Sequence, residues 1–231
     1  MSTMSTRQKL VYGLGATGTL LLIWNLYRVL LVLPDEMQQG AIYRIIYFHV
    51  PAAFVGWTLF LAALVASALY LWNKNLALDG FAASAIEVGW VFCSINLVTG
   101  MIWARIIWGI WWTWDPRLTS MFICWLLYGG YLVLRGAIDD AGQRATVSAV
   151  LAIFAFADVP IVFMAIRWWR TQHPSPVLET GGLAPEMRLP FWLNVFVFLL
   201  IGLAITLLRL DQEDTKRELE GLRRHAHAHA I

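Results

Sequence analysis

Two histidines and a tryptophan-rich segment are the residues of this 231-residue chain best suited to ligand chemistry. The segment 103–119, WARIIWGIWWTWDPRLT, holds five of the 13 tryptophans, and the opposite charges of Asp115 and Arg117 lie near its end. Of the five histidines, only His49 and His173 lie outside the C-terminal tail. Broad aromatic surfaces beside charged side chains suit a wide, flat and partly anionic ligand.

Tryptophan is also common at membrane interfaces, where its apolar ring and its polar N–H are both accommodated. An interfacial belt puts one or two tryptophans at each helix end, spread around the bundle. Here Trp108, Trp111, Trp112 and Trp114 fall within seven residues of one segment. This density favours a binding surface, and the belt is the alternative.

A pair of neutral imidazoles beside an aromatic surface is what axial ligation of haem iron requires, because the iron takes protein ligands above and below the porphyrin. The sequence has no CxxCH spacing, so the haem would be held without thioether links. Arginine binds carboxylates better than lysine does, which favours arginine for the propionates. The candidate arginines are Arg44, Arg117, Arg167 and Arg170. Taken singly, His49 could be an interfacial polar residue and His173 an ordinary loop histidine.

The composition places these residues in a membrane protein. Hydrophobic residues make up 59% of the chain and charged residues 14%, and the mean hydropathy is +0.63. Backbone polar groups in lipid must be bonded within their own segment, so the long apolar runs predict an all-α protein. Six transmembrane helices are expected, at about 10–33, from near Pro51 to 72, 82–103, 118–134, 145–166 and 190–208. The first is expected to be retained, because no small-residue cleavage site follows it.

Proline positions predict two details of the site. Pro51 disfavours helical geometry at Val50, so we expect His49 just outside the second span or at its very start. Asp115 precedes Pro116, and this pair predicts an N-cap for the fourth span, with Arg117 beside it to face the site.

The predicted organisation is a six-span domain, 1–209, followed by a charged cytoplasmic tail, 210–231. The tail is expected to be a solvated helix with pairs Glu213–Arg217 and Glu220–Arg224, and its alternating histidines suggest a frayed end rather than a metal site. Six spans put both termini on one side, which carries ten lysines and arginines in loops and tail against six on the other. This places the termini in the cytoplasm and the tryptophan-rich loop outside, although without the tail the count is five against six.

Other polar or reactive residues are expected to have structural roles. Asp158, before Val159 and Pro160, is expected to bond to backbone freed by the proline. The alternative is a functional role, because a lone acid within a span is a candidate functional residue. Glu87 is expected to face protein or the interface. Cys93 and Cys124 are expected to be buried, unpaired and without redox spacing. The net charge of +2, with no basic patch, gives no indication of nucleic-acid binding.

Several stretches resemble a known family. The pattern Trp108-Gly109-x-Trp111-Trp112-x-Trp114-Asp115-x-Arg117, preceded by Thr99-Gly100 and Trp103, resembles the WWD signature of haem-handling membrane proteins of cytochrome c maturation. The stretches 43–53, 167–173 and 185–188 narrow the resemblance to cytochrome c maturation protein C (CcmC), also called haem exporter protein C. The similarity extends from the first loop through the sixth span.

That resemblance implies a six-span protein of the bacterial inner membrane with a periplasmic WWD loop. Such a protein presents haem b to the haem chaperone CcmE and works with the ABC-type subunits CcmA and CcmB and the small protein CcmD. It binds and transfers haem rather than acting as an enzyme, and membrane lipid surrounds it. The resemblance makes His49 and His173 the axial ligands. The other expected haem-binding residues are Trp103, Trp108, Trp111, Trp112, Trp114, Asp115, Arg44 and Arg117.

Two other classes of function compete with this one. A membrane electron-transfer subunit of the cytochrome b type would carry histidine pairs inside its spans, and the predicted spans contain no such pair. A permease-type subunit whose tryptophan loop binds lipid would show no Soret absorbance after purification. An absorption spectrum therefore separates the second alternative from haem binding.

Overall fold

The structure is a computed structural model, and it describes residues 4–176, 178 and 181–229. Within these residues the chain is helical, and no β-sheet is formed. A π-helical turn, Arg28–Val32, extends the first helix, and a 3-10 turn, Ala41–Ile45, precedes the second. The α-helices are α1 (Thr6–Tyr27), α2 (Ile46–Asn73), α3 (Leu76–Ile107), α4 (Pro116–Gly136), α5 (Ala141–Phe156), α6 (Asp158–Trp168) and α7 (Pro185–His229).

Six helical segments are long and apolar enough to cross a membrane, which confirms the predicted all-α, six-span fold. The segments include the turns that extend α1 and α2, and α5 and α6 together form the fifth. They are Thr6–Val32, Ala41–Asn73, Leu76–Ile107, Pro116–Gly136, Ala141–Trp168 and Pro185–Arg223. The protein is therefore a membrane protein. Six successive crossings would put the tryptophan-rich loop, between α3 and α4, on the side opposite the termini.

The centre of the bundle is formed mainly by α2 and α3. Buried alanines, including Ala52 and Ala63 on α2 and Ala85 on α3, belong to one apolar cluster. Small residues let membrane helices approach closely where no hydrophobic force draws them together. Phe60 of α2 stacks on Tyr128 of α4 with ring centroids 3.6 Å apart, which adds α4 to this core.

The second helix begins earlier than the sequence predicted, and Pro51 lies inside it. Proline has no N–H, so the carbonyl of Tyr47, four residues earlier, loses its normal helical donor. The buried side chain of Asn194 on α7 donates to this carbonyl at 2.7 Å, and Asn25 on α1 donates to Asn194 Oδ1 at 2.7 Å. A tertiary hydrogen bond therefore makes the helical geometry possible, and His49 lies in the first turn of α2 rather than outside it.

The last helix continues without a break from the membrane into the tail. The tail is helical as predicted, but its charges pair across the fold as well as along the helix. Arg7 of α1 bonds to Asp211 at 2.6 Å and to Asp214 at 2.7 Å. These contacts hold the two ends of the described chain together on one side of the bundle.

The predicted pairs within the tail have different outcomes. Arg217 pairs with Asp214, three residues earlier, rather than with Glu213, and Glu220 accepts from Arg144 at 3.3 Å. The side chain of Arg224 lies outside the described residues, as do those of His227 and His229, so the Glu220–Arg224 pair and the frayed histidines stay predictions.

The remaining structural expectations are mostly met. Cys93 and Cys124 are buried and free, as predicted. Glu87 faces protein, where it accepts from Arg209 at 2.6 Å. Asp158 begins α6, and its buried Oδ2 has no hydrogen-bond partner in the described part of the chain. The predicted bond from that oxygen to nearby backbone is therefore not formed.

Candidate functional site

The two candidate ligands come together although 124 positions separate them in the sequence. His49 lies in the first turn of α2, and His173 lies in the loop that follows α6. Their ring centroids are 6.5 Å apart and the ring planes are inclined by 30°. Metal–imidazole bonds are about 2.0–2.1 Å long, so two rings opposed across one metal have centroids about 6 Å apart. The observed spacing fits a single metal between the rings.

The environment of His173 defines the form of its ring. Nδ1 lies 2.9 Å from the carbonyl oxygen of Pro174, and a carbonyl can only accept, so Nδ1 carries a hydrogen. Burial lowers the pKa of His173 below its ordinary value of 6.5, and the positive charge of Arg117 lowers it further. The ring is therefore neutral at neutral pH, and its Nε2 has a free lone pair, as a metal ligand requires.

The N-terminus of α4 is capped as the sequence predicted. Asp115 is the N-cap, Pro116 occupies the first turn, and the carboxylate accepts from the Arg117 N–H at 2.9 Å. Such a cap satisfies one of the backbone donors that a helix start leaves unpaired.

The same carboxylate also fastens the loop that carries His173. Asp115 accepts from the Thr171 hydroxyl at 2.7 Å and from the Gln172 N–H at 2.7 Å, while Thr171 Oγ1 accepts from the His173 N–H at 3.0 Å. Asp115 is buried, which strengthens these charge-assisted bonds. Thr171 and Gln172 were not predicted as site residues. The only signal for them in the sequence is their position directly before His173.

The first part of the tryptophan-rich segment packs against protein. Trp103, in the last turns of α3, donates its Nε1–H to Gln39 at 2.8 Å and meets Trp108 edge to face, with centroids 5.1 Å apart. The helix ends at Ile107, and Gly109, two residues later, has a φ of +77° that a residue with a side chain rarely adopts. The side chain of Arg105 donates to the Gly109 carbonyl and closes this turn.

The second part of the segment exposes aromatic surface. Trp111 and Trp114 are 54% and 75% exposed, whereas Trp112 is half-buried and meets Trp114 edge to face at 5.9 Å. Trp168 and Trp169, which precede the His173 loop, are also exposed. Exposed indoles on this side of the bundle are available to a flat ligand or to lipid.

The candidate arginines are held by other groups of the protein. Arg44 donates to the carbonyls of Val29 at 2.8 Å and Leu33 at 2.7 Å and pairs with Asp35, so it joins the end of α1 to the start of α2. Its contact with a haem propionate stays a prediction.

Arg117 lies between α4 and α6. Its guanidinium donates to the carbonyl of Val162 and lies over the ring of Trp57, 5.5 Å from the centroid. Arg167 lies over Phe163 at 5.3 Å. Contacts of these arginines with propionates also stay predictions.

The position of His49 bears on the cytochrome b alternative. The second helical segment includes His49. His173 lies in a loop, however, and the described spans do not bring two histidines together as a cytochrome b does.

Comparison with known proteins places the chain in a family. The family model described as Heme exporter protein C matches residues 2–225. Heme exporter protein C of Escherichia coli (strain K12) is 37% identical over 180 residues, which cover 77% of this chain and 72% of the relative. The protein of that name from Paracoccus denitrificans is 33% identical, covering 92% and 88%. A putative cytochrome c biosynthesis ccmC-like mitochondrial protein of Marchantia polymorpha is 34% identical, covering 73% and 72%.

Proposed function

Because this chain belongs to the Heme exporter protein C family, we propose that it handles haem in the biogenesis of c-type cytochromes and binds haem b as cargo between His49 and His173. The names of its relatives support haem export and cytochrome c biosynthesis as the general role. The residues of the haem site and the steps of delivery are our proposal.

The observation that carries the proposal is the approach of the two imidazoles to 6.5 Å. This spacing allows both imidazoles to reach one metal ion. The neutral form of His173, with its hydrogen on Nδ1, is also the form that coordinates iron. The Asp115 bonds to the His173 loop fix one ligand relative to the tryptophan-rich segment.

The exposed indoles complete the proposed site. Trp111 and Trp114 would stack on the porphyrin, and Trp103, Trp108 and Trp112 would support them. Axial ligation without thioether links is reversible, so haem can leave when another protein supplies competing ligands. The chain then makes and breaks only coordination bonds, which is binding and transfer rather than catalysis.

The proposed recipient is the haem chaperone CcmE, and the proposed complex contains CcmA, CcmB and CcmD. We place the site on the periplasmic face of the bacterial inner membrane, with both termini in the cytoplasm. The excess of basic residues on the terminal side supports this orientation. Topology reporters at Gly109 and at the C-terminus should report opposite sides, and a cytoplasmic reporter signal at Gly109 would contradict it.

Absorption spectra of purified protein test the haem site. The wild type should carry haem with two axial imidazoles, H49A and H173A should each lose one ligand, and the double variant should lose both. H225A, in the tail, is the matched control and should keep the wild-type spectrum. An unchanged spectrum in the double variant would remove both histidines as ligands, and wild-type protein without Soret absorbance would favour lipid binding by the tryptophan loop.

A further inference from the structure

One face of α3 holds the His49 ring. The face consists of Asn96, Thr99 and Gly100, which follow one another at helical spacings of three and four residues. All three lie against the imidazole or its backbone. None of them is a candidate iron ligand, so their effect on iron must pass through His49.

The hydroxyl of Thr99 contacts Nδ1 of His49 at 3.1 Å. The same oxygen lies 2.7 Å from the Ile95 carbonyl and 3.0 Å from the Asn96 carbonyl. Carbonyls only accept, and both lie closer to Oγ1 than Nδ1 does, which favours directing the single hydroxyl hydrogen to the backbone and leaving Oγ1 as an acceptor towards His49. In this arrangement the imidazole carries its hydrogen on Nδ1, which leaves the lone pair on Nε2.

Asn96 and Gly100 fix the ring without selecting its tautomer. Asn96 is buried, and its amide donates to the His49 carbonyl at 2.9 Å. The amide nitrogen lies 3.3 Å from both ring nitrogens, a position in line with neither lone pair. A β-carbon on Gly100 would meet His49 Cε1 at 3.1 Å, so glycine allows the ring to lie flat against α3.

We propose that Thr99 is a positioning residue for haem binding, and that its hydroxyl oxygen accepts the Nδ1–H of His49 so that Nε2 is the iron-binding atom. This inference rests on the proposed function, because His49 must be a ligand for its tautomer to matter. His173 is arranged in the same way, with the Pro174 carbonyl on its Nδ1. In both rings the hydrogen is then on Nδ1 and the lone pair on Nε2.

The hydrogen bond has a measurable effect on the iron. A hydrogen-bond acceptor on the N–H that does not bind the metal raises the basicity of the coordinating nitrogen and fixes the imidazole ring. Loss of this acceptor typically lowers metal affinity about 10–100-fold. A more basic ligand favours ferric over ferrous haem. Removing the acceptor should weaken haem binding and raise the haem midpoint potential.

The test compares Thr99→Val, which keeps the shape but lacks the hydroxyl, with Thr99→Ser, which keeps the hydroxyl. Haem affinity by titration and the midpoint potential by spectroelectrochemistry are measured on full-length protein in detergent. T99V should bind haem about 10–100-fold more weakly with a raised potential, and T99S should match the wild type. Thr206→Val is the control, because Thr206 makes the same kind of hydroxyl bond to its own helix, with the Gly202 carbonyl at 2.7 Å, near the middle of α7.

The outcomes separate this inference from the proposed function. Wild-type affinity and potential in T99V, while H49A loses an axial ligand, would overturn the role of Thr99 and leave the haem site standing. Equal losses in T99V and T99S, or in T99V and T206V, would also overturn it. An unchanged spectrum in H49A would instead overturn the proposed role of His49. If T99V is not recovered as monodisperse protein, Thr99→Ala serves as the hydroxyl-free variant.

Discussion

Replacing Asp115 with asparagine should loosen the His173 loop while leaving α4 capped. The two carboxylate oxygens serve different backbone donors: Oδ1 accepts from the Arg117 N–H at 2.9 Å and Oδ2 from the Gln172 N–H at 2.7 Å. Asparagine has one carbonyl oxygen, so its NH₂ group must face one of these donors. Asparagine is a good N-cap, so the remaining oxygen should keep the helix bond and can still accept from the Thr171 hydroxyl, while the loop should lose the bond from the Gln172 N–H.

The size of the effect follows from the bond that is lost. A hydrogen bond to a charged group contributes about 1.5–3 kcal/mol, and about 1.4 kcal/mol corresponds to a factor of ten. The equilibrium for opening the loop should therefore rise about 10- to 150-fold. Hydrogen exchange of the peptide covering residues 169–176 measures this directly, because amides exchange when their hydrogen bonds open.

Asp140 offers a matched control. It caps α5 through the Gln143 N–H at 2.7 Å, and it lies on the terminal side of the bundle. D140N should leave exchange of residues 169–176 unchanged, whereas D115N should accelerate it and weaken haem binding. Equal exchange in D115N, D140N and the wild type would refute the view that Asp115 holds the loop.

Two further substitutions test the support of His49. Gly100→Ala places a β-carbon 3.1 Å from the His49 ring, so it should displace the ring by a few tenths of an ångström and lower haem affinity without changing expression; wild-type affinity would contradict the packing argument. Asn194→Leu removes the side-chain donor to the buried Tyr47 carbonyl, and Pro51 has no N–H to replace it. The free energy of unfolding should therefore fall by about 1–3 kcal/mol. A thermal unfolding midpoint in detergent unchanged from that of the wild type would show that the buried bond does not stabilise the fold.

Local signals in the sequence predicted the features that depend on neighbouring residues. The Asp115–Pro116 pair predicted the cap of α4 because capping involves donors one to three positions away. The apolar runs predicted six spans because lipid imposes a minimum length on each. The meeting of His49 with His173 was expected from topology, which puts alternate loops on the same side, and their spacing fits that expectation.

Features that depend on distant contacts could not be predicted in the same way. The Pro51 rule put the start of the second helix near Pro51, but α2 begins at Ile46, and Asn194, more than 140 positions from Tyr47, satisfies the carbonyl that the proline leaves without a donor. The bonds from Asp115 to Thr171 and Gln172 join two loops that have no shared pattern in the sequence. Arg44 was predicted to bind a haem propionate because arginine suits carboxylates. Its N–H groups instead donate to the Val29 and Leu33 carbonyls at the end of α1.

The proposed haem site places one iron between His49 and His173. The number of histidine nitrogens that bind the iron of ferric haem can be counted to test this placement. Electron-nuclear double resonance on protein labelled with ¹⁵N-histidine should detect two axial imidazole nitrogens in the wild type and one in each of H49A and H173A. Two axial histidine nitrogens retained in either single variant would contradict the account, as would fewer than two in the wild type.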